Sequence, residues 1–138
     1  MPGAATEPFV NMRFQVEIEG MTGSGVLEVV FPEARLGERG HEKERVIYGK
    51  LFLRRGVSQS REWFTWWDEA RLSRKTVSRH ITVTLLDASG RNLQRWMFRR
   101  SKPVAYSLSS LNALAQEVLI ETLEVAIGSF ESPPENPK

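Results

Sequence analysis

The stretch Arg61-Glu62-Trp63-Phe64-Thr65-Trp66-Trp67-Asp68-Glu69-Ala70-Arg71 holds three of the four tryptophans in a chain of 138 residues. Trp63, Trp66, Trp67 and Ala70 fall at i, i+3, i+4 and i+7, a single apolar stripe along a helix. Glu62 stands in the first turn, where a negative charge suits the helix dipole. Ser58 or Ser60 can cap the start, and Asp68 can pair with Arg71 one turn on. Large aromatic surfaces at helical spacing are expected to pack on a sheet. The expectation is therefore that Trp63, Trp66 and Trp67 plug a core. The competing reading, an aromatic platform for stacking nucleic-acid bases, normally needs exposed rings.

Outward from this helix the chain reads as strands. Toward the N-terminus, Arg13 to Glu19 alternates, with Phe14, Val16 and Ile18 on one face and Gln15, Glu17 and Glu19 on the other. Val26 to Phe31 is a second strand, and Val46 to Arg54 a third. The intervening Glu33 to Arg45 is charged and without apolar period, so an exposed loop is expected. Toward the C-terminus, Val77 to Leu86 and Asn92 to Arg99 flank Asp87-Ala88-Ser89-Gly90-Arg91, whose Gly90 suits a tight hairpin; Pro103 is expected to end the returning strand. Leu108, Leu111, Ala115, Val118 and Leu119 keep a helical period, and propensity alone gives a helix to about Leu119. Yet Val118 to Ile127 also alternates as a strand. That strand would set Glu121 among apolar neighbours, where it needs a cation. Arg54, Arg55 and Arg99 are the candidates for a buried charge pair with it.

The length suits one domain, expected over residues 9–130, with flexible tails at 1–8 and 131–138. There is no cysteine, so disulfides, thiolate nucleophiles and thiolate metal sites are excluded. No apolar run approaches the ~20 residues of a membrane helix. His41 and His80 have no partner at metal or triad spacing, and no phosphate-binding or hydrolase motif is present. No enzyme, metal or cofactor is indicated. Charge is segregated. Residues 1–49 carry five basic and eight acidic side chains, residues 50–106 thirteen and four, and residues 107–138 one and five. A basic middle between acidic ends suits a nucleic-acid surface or complementary contacts between copies.

The ordered set of segments resembles a known family. Phe14-Gln15-Val16-Glu17-Ile18-Glu19-Gly20 and Gly25-Val26-Leu27-Glu28-Val29 look like its first two strands. Tyr48-Gly49-Lys50-Leu51-Phe52-Leu53-Arg54-Arg55-Gly56 is similar to its aromatic-Gly, Leu-x-Leu, basic-basic-Gly run. Ser60-Arg61-Glu62 with Trp66-Trp67 matches its helix. Val83-x-Leu85-Leu86-Asp87-Ala88-Ser89-Gly90, Trp96-x-Phe98-Arg99 and Pro103-Val104 match its hairpin. Leu111-Asn112-Ala113 and Glu117 to Glu124 match its closing strand. These segments, from about Phe9 to Phe130, resemble the contractile-tail tube proteins of bacteriophages and of extracellular contractile injection systems. More distantly they are similar to the haemolysin-coregulated tube protein of type VI secretion.

The resemblance implies a mainly β fold, a two-sheet β-barrel or sandwich with one packed helix. It reads the C-terminal segment as loop then strand. It implies homo-hexameric rings that stack into a conduit for cargo or DNA. The expected partners are a sheath protein, baseplate or tube-initiator proteins, and a tube paralogue. Synthesis would be cytoplasmic, followed by incorporation into a phage tail or injection particle. In the family the segment between the second and third strands helps stack rings. Here it is shorter, charged and lacks the family's Leu-Pro-Gly, and Glu33, Arg35, Glu38, Arg39, Glu42, Lys43 and Arg45 become candidate stacking residues. Gln15, Glu17 and Glu19 are the candidate lumen face. The runner-up is a small nucleic-acid-binding β-domain using the basic middle segment.

Overall fold

Two-residue alternation builds the first element of this computed structural model, which describes residues 9, 13–23, 25–37, 45–72 and 77–134. In β1 (Arg13–Ile18) Val16 and Ile18 are buried, while Arg13, Gln15 and Glu17 face solvent. β1 pairs antiparallel with β6 (Arg79–Leu86), which pairs antiparallel with β7 (Asn92–Leu108). The β6–β7 turn is closed by Asp87, whose Oδ1 accepts the N–H groups of Ser89 at 2.9 Å and Arg91 at 2.8 Å. Gly90 there has φ +87°, a conformation that suits a residue without Cβ. The Arg91 N–H holds the Asp87 carboxyl below its ordinary range.

Pro103 does not end this strand. β7 runs on to Leu108 because it changes partner, from β6 and β9 (Ser129–Glu131) to β8 (Ile120–Ala126). Arg100, with φ +51°, marks the corner, and the β7–β8 register shifts between Pro103 and Ala105. A bulge is where a sheet tolerates a residue with no N–H. β8 then pairs with β5 (Leu51–Gly56), and β5 with β2 (Val26–Val30). The result is one seven-stranded sheet in the order β1-β6-β7-β8-β5-β2, with β9 on β7. It folds on itself at β7 into a sandwich-like pair of halves. It is not a closed barrel, since β1 and β2 end the order without meeting.

Three further expectations change. Leu108 to Leu119 is no helix: Leu108 completes β7, and the loop 109–119 is pinned by the Asn112 side chain accepting the Leu114 N–H at 2.9 Å. Ile120 to Ala126 is the strand that the alternation and the resemblance gave, with a ladder partner on each side. The third strand is split into β4 (Val46–Tyr48) and β5, which take different partners: β5 pairs with β2 and β8, while past β4 the Gly49 N–H donates to the Glu33 carbonyl at 2.8 Å. β4 pairs with β3 (Ala34–Leu36), so the start of the expected loop is itself a strand. The folded part also passes residue 130. Glu131 completes β9, and the Ser132 hydroxyl donates to the Arg95 carbonyl at 3.0 Å. Residues 1–8 and 135–138, expected as tails, lie outside the described residues.

The core fills the space between the halves with Val16, Ile18, Ile81, Val83 and Phe98 from one and Leu51, Leu53, Leu123 and Val125 from the other. α1 (Glu62–Leu72) packs on β7 and contributes Trp63 and Trp66, both fully buried. The Trp66 indole N–H donates to the Val77 carbonyl at 2.9 Å, so burial leaves no orphan donor. Phe64 meets Tyr106 edge to face at 5.4 Å.

Candidate assembly surfaces

The inward face of β5 and β8 carries one charge pair. Arg55 and Glu121 are register neighbours, both buried, with Arg55 Nε 2.6 Å from Glu121 Oε2. The Tyr106 hydroxyl donates to Glu121 Oε1 at 2.5 Å. The Arg55 guanidinium also lies 4.3 Å from the centroid of a Trp63 ring. Burial, and then the hydrogen bond to Glu121, push the Tyr106 phenol up to about 12. Of the other two candidates, Arg54 faces outward to Glu28 at 3.0 Å, and Arg99 pairs with Glu131 at 3.1 Å. Strand alternation separates Arg54 from Arg55. An ion pair locked under an aromatic ring ties β5, β8 and α1 together, and its carboxylate is occupied by Arg55 and Tyr106 rather than offered to a substrate.

The tryptophans offer no exposed platform. Trp63 and Trp66 are buried, and Trp67 is half-buried against the core. Several basic residues of the middle segment hold acidic partners: Arg71 with Asp68 at 2.7 Å, Arg91 with Asp87 at 3.3 Å, and Arg79 with Glu69 at 4.0 Å. The nucleic-acid reading thus gains no support from either observation that suggested it.

What the fold does expose is apolar. In the β3–β4 hairpin, Leu36, Val46 and Ile47 are all exposed. Of the candidate stacking residues, Glu33, Arg35 and Arg45 lie on or beside this hairpin and are exposed, while Glu38, Arg39, Glu42 and Lys43 fall outside the described residues. The loop 109–119 presents Leu111 at 85% and Leu114 at 95% exposure, with Val118 beside them. Charge drew attention to the first segment and helical period to the second. Among the lumen candidates, Gln15 and Glu17 face solvent from β1. Glu19 is engaged: its carboxylate accepts the His80 N–H at 2.9 Å and its carbonyl accepts from Arg79 at 2.7 Å.

A small β-sandwich with a complete core and two exposed apolar projections has the form of a building block. The sequence pattern of the T4-like virus tail tube protein gp19 family matches residues 10–131. The chain belongs to that family. It is a structural tail tube subunit, not an enzyme, and its place is in a phage tail or contractile injection particle. Solved structures carry the same fold. A chain of the PVC sheath–tube complex of an extracellular contractile injection system, in the extended state, superposes with TM-score 0.73 at 17% identity, covering 96% of this chain and 95% of that one. A chain of the anti-feeding prophage baseplate gives 0.69 at 21% identity, covering 93% and 97%. Hcp1 from Flavobacterium johnsoniae gives 0.65 at 14%, covering 86% and 93%. No curated protein matches the sequence. No helix among the described residues is long and apolar enough to cross a membrane.

Proposed function

We propose that this tail tube subunit closes into homo-hexameric rings that stack into the inner conduit of a contractile particle. The conduit would lie inside a sheath, start on baseplate or initiator proteins, accept a tube paralogue, and carry cargo or DNA. Synthesis in the cytoplasm would precede incorporation. The observation that carries this reading is the exposure of Leu36, Val46, Ile47, Leu111 and Leu114 on a molecule whose core is otherwise complete. Contiguous exposed apolar residues on a soluble fold mark association surfaces. A ring needs a heterologous contact that closes, and a tube needs one that does not.

For the lumen, the face of Gln15 and Glu17 on β1 remains one proposal. A second face competes because it spans four strands: Glu28 on β2 and Arg54 on β5 form an ion pair there, and Thr122 on β8 and Ser107 on β7 continue their row. Cysteine labelling of assembled tubes at Glu17 and Glu28, with a thiol reagent too bulky for the bore, separates them; the lumen position is the one protected.

Electron microscopy of the full chain tests the assembly itself. Rings and tubes are expected, alone or with baseplate partners. Persistent monomers under every salt condition and with those partners would overturn the reading.

A further inference from the structure

Between Arg99, paired with Ser129 of β9, and Lys102, paired with Ala126 of β8, β7 crosses from one half of the sandwich to the other. Between Ala126 and Ser129 the chain crosses back, and the two crossings lie against each other. The Gly128 N–H donates to the Arg99 carbonyl at 2.9 Å, and the Arg100 guanidinium donates to the Gly128 carbonyl at 3.3 Å. β7 carries an extra residue here. From Ile81 and its partner Phe98 to Arg79 and its partner Ser101, β6 advances two residues and β7 three. That is a β-bulge, which bends the strand that carries it. Ser101, fully buried, donates its hydroxyl to the Phe98 carbonyl at 3.1 Å across the bulge. Arg100 in the bulge has φ +51° and is the one non-glycine residue at positive φ among the described residues. Glycine fits such backbone without a steric cost, and another residue stays there only where its surroundings hold it. What glycine would lack is the side chain, and that side chain covers Gly128. A Cβ added at Gly128 would sit 2.8 Å from Arg100 Nε and 2.9 Å from Arg100 Cβ. Gly128 has no positive φ of its own, so it is small because Arg100 lies on it. Arg99, next along the strand, is committed to Glu131 of β9 at 3.1 Å.

We propose that Arg100 is a positioning residue for ring closure: clamped on Gly128, it fixes the angle between the two half-sheets and so the number of copies in a ring. The inference rests on the ring reading and names the residue that sets its angle. Side chains between the halves set their separation, while the bulge sets how sharply β7 turns from one half into the other. A heterologous ring contact joins two different patches of the same molecule, and the angle between those patches decides at what number the ring closes. The two ends of the sheet order, β1 and β2, lie on different halves, so the flanks that a copy presents to its two neighbours turn with this corner. Neighbouring ring sizes differ by only a small rotation per copy, and a corner free to relax would give several of them.

Three variants of the full chain test this. Arg100→Gly removes the clamp and suits the left-handed backbone, Gly128→Ala keeps the bulge and displaces the arm, and Arg100→Lys keeps a long cationic donor. The melting temperatures of the first two should stay close to that of the unaltered chain. Their rings, sorted by copy number in electron-microscopic class averages, should be a mixture where the unaltered chain gives one size, and Arg100→Lys should restore the single size. Rings of one size from Arg100→Gly or Gly128→Ala overturn the proposal. A steep fall in melting temperature in both makes the corner a stability element and overturns a positioning role. The corner is also read in the monomer. The chain has no cysteine, so nitroxide labels go on Glu17→Cys of β1 and Glu28→Cys of β2 at concentrations below assembly. The distance distribution between them should broaden in Arg100→Gly and Gly128→Ala and narrow again in Arg100→Lys. An unchanged distribution overturns the clamp whatever the rings show. A broadened one, with no rings from the unaltered chain, sinks the ring reading and with it the role of Arg100 in closure.

Discussion

Glu121 shows how single residues hold this subunit together. A buried carboxylate is costly unless its charge is matched; Arg55 matches the charge and Tyr106 occupies the second oxygen. Glu121→Gln leaves the Arg55 charge uncompensated and should cost about 3–5 kcal/mol in urea unfolding; a loss under about 1 kcal/mol would mean that the pair behaves as a surface bridge. Tyr106 adds a pH signature. Its phenol rises from 10.0 to about 12 in the fold, so the folded chain keeps this proton more tightly than the unfolded one. The associated stability is complete below pH 10 and is lost as pH rises through the folded value. Tyr106→Phe should flatten that alkaline decline, and an unchanged slope would assign it to other groups. The tryptophans differ in the same spirit. Trp66→Ala should cost about 3–5 kcal/mol, because it empties a dry site and frees the Val77 carbonyl. Half-buried Trp67→Ala should cost clearly less, and equal losses would contradict the burial seen here.

Elements were legible where local pattern and tertiary partner agree. The alternation of β1, the Asp87–Gly90 turn and the Trp stripe of α1 each contain their own reason for existing. The misses share a cause: the deciding partner lies far off in sequence. β7 passes Pro103 because β8 waits on the other side of the corner. The helical period of Leu108 to Leu119 forms no helix because Leu108 completes β7 and residues 109–119 only connect it to β8. The partner of Glu121 stayed open among three arginines because the β5–β8 register cannot be read from either strand alone. Hairpin β3–β4 was hidden because its strands are three residues each and its apolar residues have no core to point at. The β6–β7 turn supplies the prediction at this scale. Gly90 sits at φ +87°, and a Cβ in left-handed backbone costs about 1–2 kcal/mol. Gly90→Ala should lower stability by that amount in thermal or urea melts without changing the fold. Space is not the issue, since nothing lies within 4 Å of the new Cβ. A neutral effect would mean the turn relaxes to another type.

For the whole molecule, stability and assembly are coupled quantities. The monomer leaves Leu36, Val46, Ile47, Leu111, Leu114 and Val118 in water, and in the proposed tube those surfaces are covered. Anything that binds the folded state and not the unfolded one stabilises it by mass action, by about 2.7 kcal/mol when the partner is present at a hundred times its dissociation constant. Here the partner is another copy, so the melting temperature should rise with protein concentration across the range where rings and tubes appear. Salt should act on the same curve. Any attraction between the basic middle segment of one copy and the acidic ends of another would be screened beyond about 8–10 Å at physiological ionic strength. Raising salt should shift the rise to higher concentration if segregated charge helps assembly, whereas apolar contacts alone would be strengthened or unchanged. The hairpin variant Leu36→Asp separates the contributions. It should melt at the monomer's temperature and lose the part of the concentration dependence that stacking supplies. A melting temperature independent of concentration, measured while tubes are visible in the same samples, would mean that covering these surfaces contributes nothing, and the exposed leucines would need another explanation.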